Sequence, residues 1–213
     1  MLDTATPIVF VVDNDISVRE SLALLIQSAG WQSQTFASGS EFLAHQKSSV
    51  PSCLILDSTL PDLNGLELQE RISTERCDMP IIFLSSHGDI STAVKAIKRG
   101  ALEFLTKPFD FDMLLGAVRC AVKRSEIALH REREIHKLRA DYESLSRRER
   151  EVMAGVAAGL LNKEVGTQLG ISEITVKAHR GNVMRKMKAG SFAHLVNMAS
   201  RLRVVRQMTA SAV

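Results

Sequence analysis

The chain has 213 residues, 45% of them hydrophobic, enough for one large domain or two small ones, each with a core. Its formal net charge of +3 hides a split: residues 1–120 carry 9 Lys and Arg against 15 Asp and Glu, a net −6, and residues 121–213 carry 18 against 9, a net +9. No apolar run approaches the ~18–20 residues of a membrane span, no secretory signal pattern opens the chain, and Cys53, Cys77 and Cys120 lack metal-ligand spacing, so a soluble, reduced, cytoplasmic protein is expected.

Residues 8–105 alternate apolar and helical patterns. Strands are expected at 8–12, 34–36, 53–56, 81–84 and 102–105, and helices at 17–29, 40–44, 66–76 and 90–99. Gly30 and Gly100 stand where the first and fourth helices should stop. Such alternation means βαβ units and a parallel sheet, here an α/β doubly wound layer of five strands. From about 112 to 142 the pattern is helical, first apolar and then heavily charged, and no Gly or Pro interrupts 117–141. Ile135, Leu138, Tyr142 and Leu145 form one stripe there, suited to pack on a partner or on the following segment. Beyond 144 no strand pattern remains. Ser146 and Glu149 have capping-box spacing for a helix to about 158 that Gly159 ends. A short helix over 162–169, a turn at Gly170, a Ser172-capped helix to about 188 ended by Gly190, and a last helix to about 203 complete an all-α part; the tail 207–213 is expected to fray.

The strand ends carry the chemistry. The first strand ends in Asp13-Asn14-Asp15, the third at Asp57, the fourth at Ser85 and the fifth at Lys107. With strand order 2-1-3-4-5, strands one and three flank the switch point where open α/β sheets bind ligands. Asp13 and Asp57 then share a pocket, and two close carboxylates call for a cation; oxygen ligands favour Mg²⁺. Carboxylate, divalent cation, hydroxyl and ammonium together suit in-line phosphoryl transfer to Asp57, which needs positioning and charge neutralisation. Taken singly, each residue has a plainer reading: Asp13 as a helix cap, Ser85 and His87 as loop residues, Lys107 as a surface lysine, Phe104 as core. Four key residues at four strand ends outweigh those readings.

This region, residues 7–120, resembles the receiver domain of two-component response regulators. The matching features are Val11-Val12-Asp13, Asp57 followed by Pro61 and Gly65, Ser85, and Lys107-Pro108-Phe109. The resemblance implies phosphorylation of Asp57 by a sensor histidine kinase, Mg²⁺ held by Asp13, Asp57 and the Thr59 carbonyl, a phosphoryl group gripped by Ser85 and Lys107, a cis Lys107-Pro108 bond, and Phe104 as the switch aromatic. Asn14 stands where the family usually has a second acid; its amide oxygen can join the metal ligands but brings no charge, so weaker Mg²⁺ binding is expected.

The second half points to nucleic acid. With Val176 as the core direction of the 172–188 helix, Val183 and Met187 return to the core side. Lys177, Gly181 and Lys188 fall near 100–140° away, and Ala178 and Arg185 near 180–200°, at 100° per residue. That outward face is basic, with small residues between, as suits a major groove. His179 and Arg180 flank the buried side. The runs Leu145–Val152, 159–165 and Leu169–His179 are similar to the LuxR-type helix-turn-helix, over about 144–203. The whole chain thus resembles the FixJ/NarL class of transcriptional regulators. The resemblance implies DNA contacts from Lys163, Thr175, Lys177, His179 and Arg180; Gly181 lies where some relatives carry a larger base-reading side chain. The expected organisation is a receiver over 1–120, a helical linker over 121–143 and a DNA-binding domain over 144–213. The expected partners are double-stranded promoter DNA, a sensor histidine kinase, a second copy of the chain on phosphorylation, and RNA polymerase, with no membrane.

Two other readings remain open. The receiver could be a dimerisation scaffold that works without phosphorylation, which Asn14 favours. Asp13-Asn14-Asp15 also has the Asp-x-Asp spacing of haloacid-dehalogenase-type phosphatases, but the later acidic pair that chemistry needs is missing, since Gly88-Asp89 is followed by no acid before Glu103.

Overall fold

A computed structural model describes residues 6–76, 78–86 and 90–204. The chain divides into two compact units, Met1–His130 and Arg131–Val213.

The first unit carries β1 (Ile8–Val12), α1 (Ile16–Ser28), β2 (Gln32–Phe36), α2 (Gly39–Ala44), β3 (Ser52–Asp57), α3 (Gly65–Glu75), β4 (Ile81–Ser85), α4 (Ile90–Lys98) and β5 (Glu103–Thr106). All adjacent strands pair in parallel, in the order β2-β1-β3-β4-β5, as expected. β3 and β4 are buried throughout, so their apolar runs do not alternate with polar residues. Alternate residues face opposite layers. Phe10, Leu54, Leu56 and Phe83 pack with Phe42, Leu68, Ile72 and Ala96 from α2, α3 and α4. Val9, Val11, Ile55 and Leu84 pack with Leu22 and Ile26 of α1 and Leu114 and Val118 of α5. Cys53 lies in that second layer, and burial pushes its thiol up to about 12, so it acts as a small hydrophobe. Cys120 is exposed, and Cys77 lies outside the described residues.

The edge strand β2 is longer than its sequence pattern, starting at Gln32, because its polar residues pair with Ile8 and Val9 of β1. Gly30 and Gly100, at φ +88° and +95°, end the two helices they were expected to end.

Helix α5 (Phe111–Glu143) is one element that contributes to both units. In the second unit it is followed by α6 (Arg147–Ala157), α7 (Asn162–Leu169), α8 (Glu173–Lys186) and α9 (Phe192–Arg201). Leu138 and Leu145 are buried, and Tyr142 packs, against a core of Val152, Met153, Val165, Val176, Val183, Met187 and Leu195. The stripe on α5 therefore covers this helical core; Ile135, at its start, is only half-buried. Ser146 and Glu149 form the expected capping box, the Glu149 carboxylate accepting the Ser146 N–H at 2.7 Å. Gly170, at φ +66°, makes the turn between α7 and α8.

One stop differs from expectation. Lys188, at φ +53°, rather than Gly190, takes the left-handed position after α8. The Ala189 N–H donates to the Met184 carbonyl at 2.9 Å and the Lys188 N–H to that of Arg185 at 3.2 Å, the paired bonds of a Schellman ending. The Lys188 ammonium, 2.6 Å from Asp141 Oδ1, offsets some of the cost of a side chain in that conformation.

Candidate functional site

The parallel register of β1 and β3, with Val12 beside Leu56, carries Asp13 and Asp57 out of the sheet at the same edge. Both are buried, at 1% and 5% exposure. Lys107, just past β5, reaches between them: its Nζ lies 2.7 Å from Asp13 Oδ2 and 3.4 Å from Asp57 Oδ1. The Lys107 N–H donates to the Ser85 carbonyl at 2.7 Å, and Lys107-Pro108 is cis. Ser85, buried at the end of β4, accepts a hydrogen bond from the Ser58 hydroxyl at 2.9 Å. All four strand-end residues thus lie at one edge of the sheet, Lys107 joining the two aspartates through its side chain and Ser85 through its backbone.

Two carboxylates here face the Lys107 ammonium, and the Arg19 guanidinium stands at the Asp13 carbonyl as a second cation. Burial raises the Asp57 carboxyl above its usual range; the Lys107 charge opposes that, and the Asp13 charge adds to it. Burial pulls Lys107 down, but the hydrogen bond to Asp13 and the two carboxylate charges outweigh it, so its ammonium is strengthened. Two buried carboxylates set side by side are oxygen donors of the kind a hard divalent cation takes, with water filling its other positions. Among the described residues no group of three or more His, Cys, Asp or Glu side chains is gathered, so the acidic donors here are the two aspartates.

Asn14 is exposed next to Asp13, and Thr59 is exposed two residues beyond Asp57, held by a bridge to Asn64. Asp15 does not replace the missing acid. Its carboxylate accepts the Ser17 N–H at 2.8 Å and caps α1, while its own N–H donates to Asp13 Oδ1 at 2.9 Å. The cap of α1 is therefore Asp15, which leaves Asp13 for the pocket.

Gly65 opens α3 beside the site. A Cβ there would stand 2.9 Å from the Asp57 carbonyl oxygen and 3.1 Å from Phe83. That close approach explains the glycine eight residues after Asp57. Phe83 in turn stacks on Phe104, centroids 6.0 Å apart and planes at 23°; Phe104 is half-buried on β5. Sequence reasoning missed Phe83, Ser58 and Arg19, whose Nη1 donates to the Asp13 carbonyl at 2.8 Å. Ser58 adjoins Asp57 and could have been suspected; Phe83 and Arg19 carry no local signal. His87, Gly88 and Asp89 lie outside the described residues.

In the helical unit, α8 buries Val176 and Val183 and exposes Lys177, Ala178, Gly181 and Arg185; just past its end Met187 is buried and Lys188 exposed. His179 and Arg180 are half-buried at its flanks. Lys163 is exposed on α7. Lys177 pairs with Glu173 at 3.1 Å, with both side chains largely in solvent. The Thr175 and Ser172 hydroxyls are 2.8 Å apart at the helix start. Arg180 stacks over the Phe192 ring at 4.5 Å and donates to Asn162 Oδ1 at 3.3 Å. Behind this face, Lys186 joins buried Glu149 at 2.6 Å, tying α8 to α6. That hydrogen bond holds the Glu149 carboxyl below its usual range despite burial.

The two parts match two known families. Residues 9–119 match the response regulator receiver domain, and residues 143–199 match the bacterial regulatory proteins of the luxR family. The response regulator protein TodT of Pseudomonas putida is 44% identical over 203 residues, 95% of this chain and 89% of its own length. Nodulation protein W of Bradyrhizobium diazoefficiens is 46% identical over 195 residues, 92% of this chain and 86% of its own. The low-resolution structure of response regulator StyR superposes with a TM-score of 0.80 at 41% identity, covering 92% of this chain and all of that one. An acidic receiver pocket and a LuxR-type helix-turn-helix in one chain make this protein a member of the response regulators, the phosphorylation-controlled DNA-binding transcriptional regulators of two-component systems.

Proposed function

We propose that Asp57 is the phosphoacceptor and that its phosphorylation drives dimerisation and promoter binding in the cytoplasm. The supporting observation is the convergence of Asp13, Asp57, Ser85 and Lys107 at four strand ends on one edge of the sheet, with Lys107 bonded to both aspartates. A sensor histidine kinase presents a phosphohistidine; an Asp57 carboxylate oxygen forms a bond to phosphorus as the phosphorus–nitrogen bond breaks, and the imidazole leaves with the electron pair. Lys107 stands beside both carboxylates to neutralise charge on the transferred group, and the Ser85 hydroxyl donates to one of its oxygens. Asp13, Asn14, Asp57 and the Thr59 carbonyl would hold Mg²⁺, which supplies further charge neutralisation when bound.

Occupation of the site draws on Ser85, and Phe104, stacked on Phe83, carries the change to the α4–β5 surface. Ile90, Val94 and Ile97 of α4 are 79%, 45% and 46% exposed, an apolar face suited to a second copy of the chain. We divide the chain into a receiver over 1–120, a helical linker over 121–143 and a DNA-binding domain over 144–213. Lys163, Lys177 and Arg185 are exposed cations for the phosphate backbone and base edges, and Thr175, His179 and Arg180 border them. RNA polymerase is the onward partner at the promoter.

Intact mass spectrometry after incubation with acetyl phosphate and Mg²⁺ tests the phosphoacceptor. One hydroxylamine-labile phosphoryl group is expected on the native chain and none on Asp57→Ala. Equal labelling of both chains would place the acceptor elsewhere.

A further inference from the structure

The outward face of α8 has an unusual centre. Ile174, Ala178, Gly181 and Arg185 follow the i, i+4, i+7, i+11 spacing of a single helical stripe. It lies opposite Val176 and Val183, which are fully buried. All four stripe residues are exposed, and Ile174 is 79% exposed. Across the first three turns the stripe therefore holds no hydrogen-bonding side chain. Of the polar groups nearby, Thr175 is engaged with Ser172, Arg180 with Phe192 and Asn162, and Lys177 with Glu173, while exposed Asn182 borders the stripe on one side.

Gly181 sharpens the point. A Cβ there would meet nothing within 4 Å, and its φ is not in the left-handed range. The fold does not require glycine at this position, and a helix-interior glycine is less stable than alanine. The missing side chain therefore serves whatever approaches from outside. The face carries positive charge where it meets its surroundings, Arg185 at the end of the stripe and exposed Lys177 beside Ala178, so an anionic partner suits it.

In a major groove, the feature that an exposed aliphatic group can recognise is the C5-methyl of thymine. We propose that Ile174 is a specificity-determining residue that reads a thymine methyl, while Ala178 and Gly181 let the helix backbone approach the base edges closely. The inference rests on the DNA-binding reading above, and it makes apolar contact rather than bidentate hydrogen bonding the basis of sequence selection at the centre of the face.

The test removes one methyl group at a time. A duplex is selected from a random pool by the full chain, and each thymine is replaced in turn by deoxyuridine. One position in each half-site should lose about fourfold in affinity, the worth of one buried methyl. With Ile174→Ala, which removes only an exposed side chain, that loss should vanish while circular dichroism and thermal unfolding stay unchanged. Gly181→Ala should fold at least as well as the native chain and bind the selected duplex more weakly. A duplex insensitive to every deoxyuridine, or one equally sensitive with Ile174→Ala, overturns the inference and leaves the DNA-binding reading intact. Recovery of no preferred duplex at any phosphorylation state contradicts that reading itself.

Discussion

At the scale of single residues, the cluster of Asp13, Asp57 and Lys107 is held in electrostatic tension. Asp57 carries a raised carboxyl because burial and Asp13 outweigh Lys107, so its ionised form destabilises the folded state at neutral pH. The sign follows: with a folded value above the unfolded one, stability falls as pH rises through the folded value. Asp57→Asn removes that charge, so in Mg²⁺-free buffer it should raise the melting temperature and flatten the stability–pH profile, as read by thermal denaturation. Lys107→Ala does the reverse, taking from two buried carboxylates the ammonium they share. It should cost about 3 kcal/mol, the low end for unpairing a buried ion, since Lys107 is partly exposed. Added Mg²⁺ should recover part of that loss in denaturant titrations. In the Mg²⁺ site proposed above Asn14 brings no charge, so Asn14→Asp should tighten Mg²⁺ binding measured by calorimetry; unchanged affinity would remove Asn14 from that site. Asp13, Asp57, Ser85 and Lys107 were legible from the sequence because each closes an apolar run. Phe83 and Arg19 were not, because their roles arise from register across strands and from the first turn of a helix.

Elements position these residues through backbone constraints that a few glycines and caps make possible. Gly65→Ala would press a methyl group to within 2.9 Å of the Asp57 carbonyl. Overpacking of this kind should cost about 1–3 kcal/mol, and acetyl phosphate labelling should slow with it. In the helical unit, Glu149 both caps α6 and binds Lys186 of α8. Its carboxyl is lowered chiefly by the Lys186 hydrogen bond, so its contribution to stability is present above the ordinary glutamate range and is lost as pH falls through the folded value. Glu149→Gln should therefore weaken this unit at neutral pH and lessen its acid sensitivity, followed by circular dichroism. Most element boundaries were legible because apolar period and Gly stops agree. The end of α8 was not: a lysine adopts the left-handed conformation, and its compensating contact comes from Asp141, 47 residues earlier. The long α5 was legible as a helix, but what its stripe packs against was not, since periodicity marks a buried side and leaves the neighbour unspecified.

For the whole molecule, the charge split is the feature that joins sequence to function. The acidic half holds the receiver domain and its buried carboxylates, and the basic half holds the LuxR-type DNA-binding domain. In the function proposed above, the first controls the second through Asp57. The most direct measurement is DNA affinity of the full chain, titrated with and without beryllofluoride and Mg²⁺, beside the same titration of Asp57→Ala, with the oligomeric state read by light scattering. The native chain should dimerise and gain affinity by about 5–150-fold, the usual range of such coupling, and Asp57→Ala should do neither. Equal affinity and oligomeric state under all four conditions would contradict the account and leave the receiver as a scaffold for a constitutive DNA-binding protein.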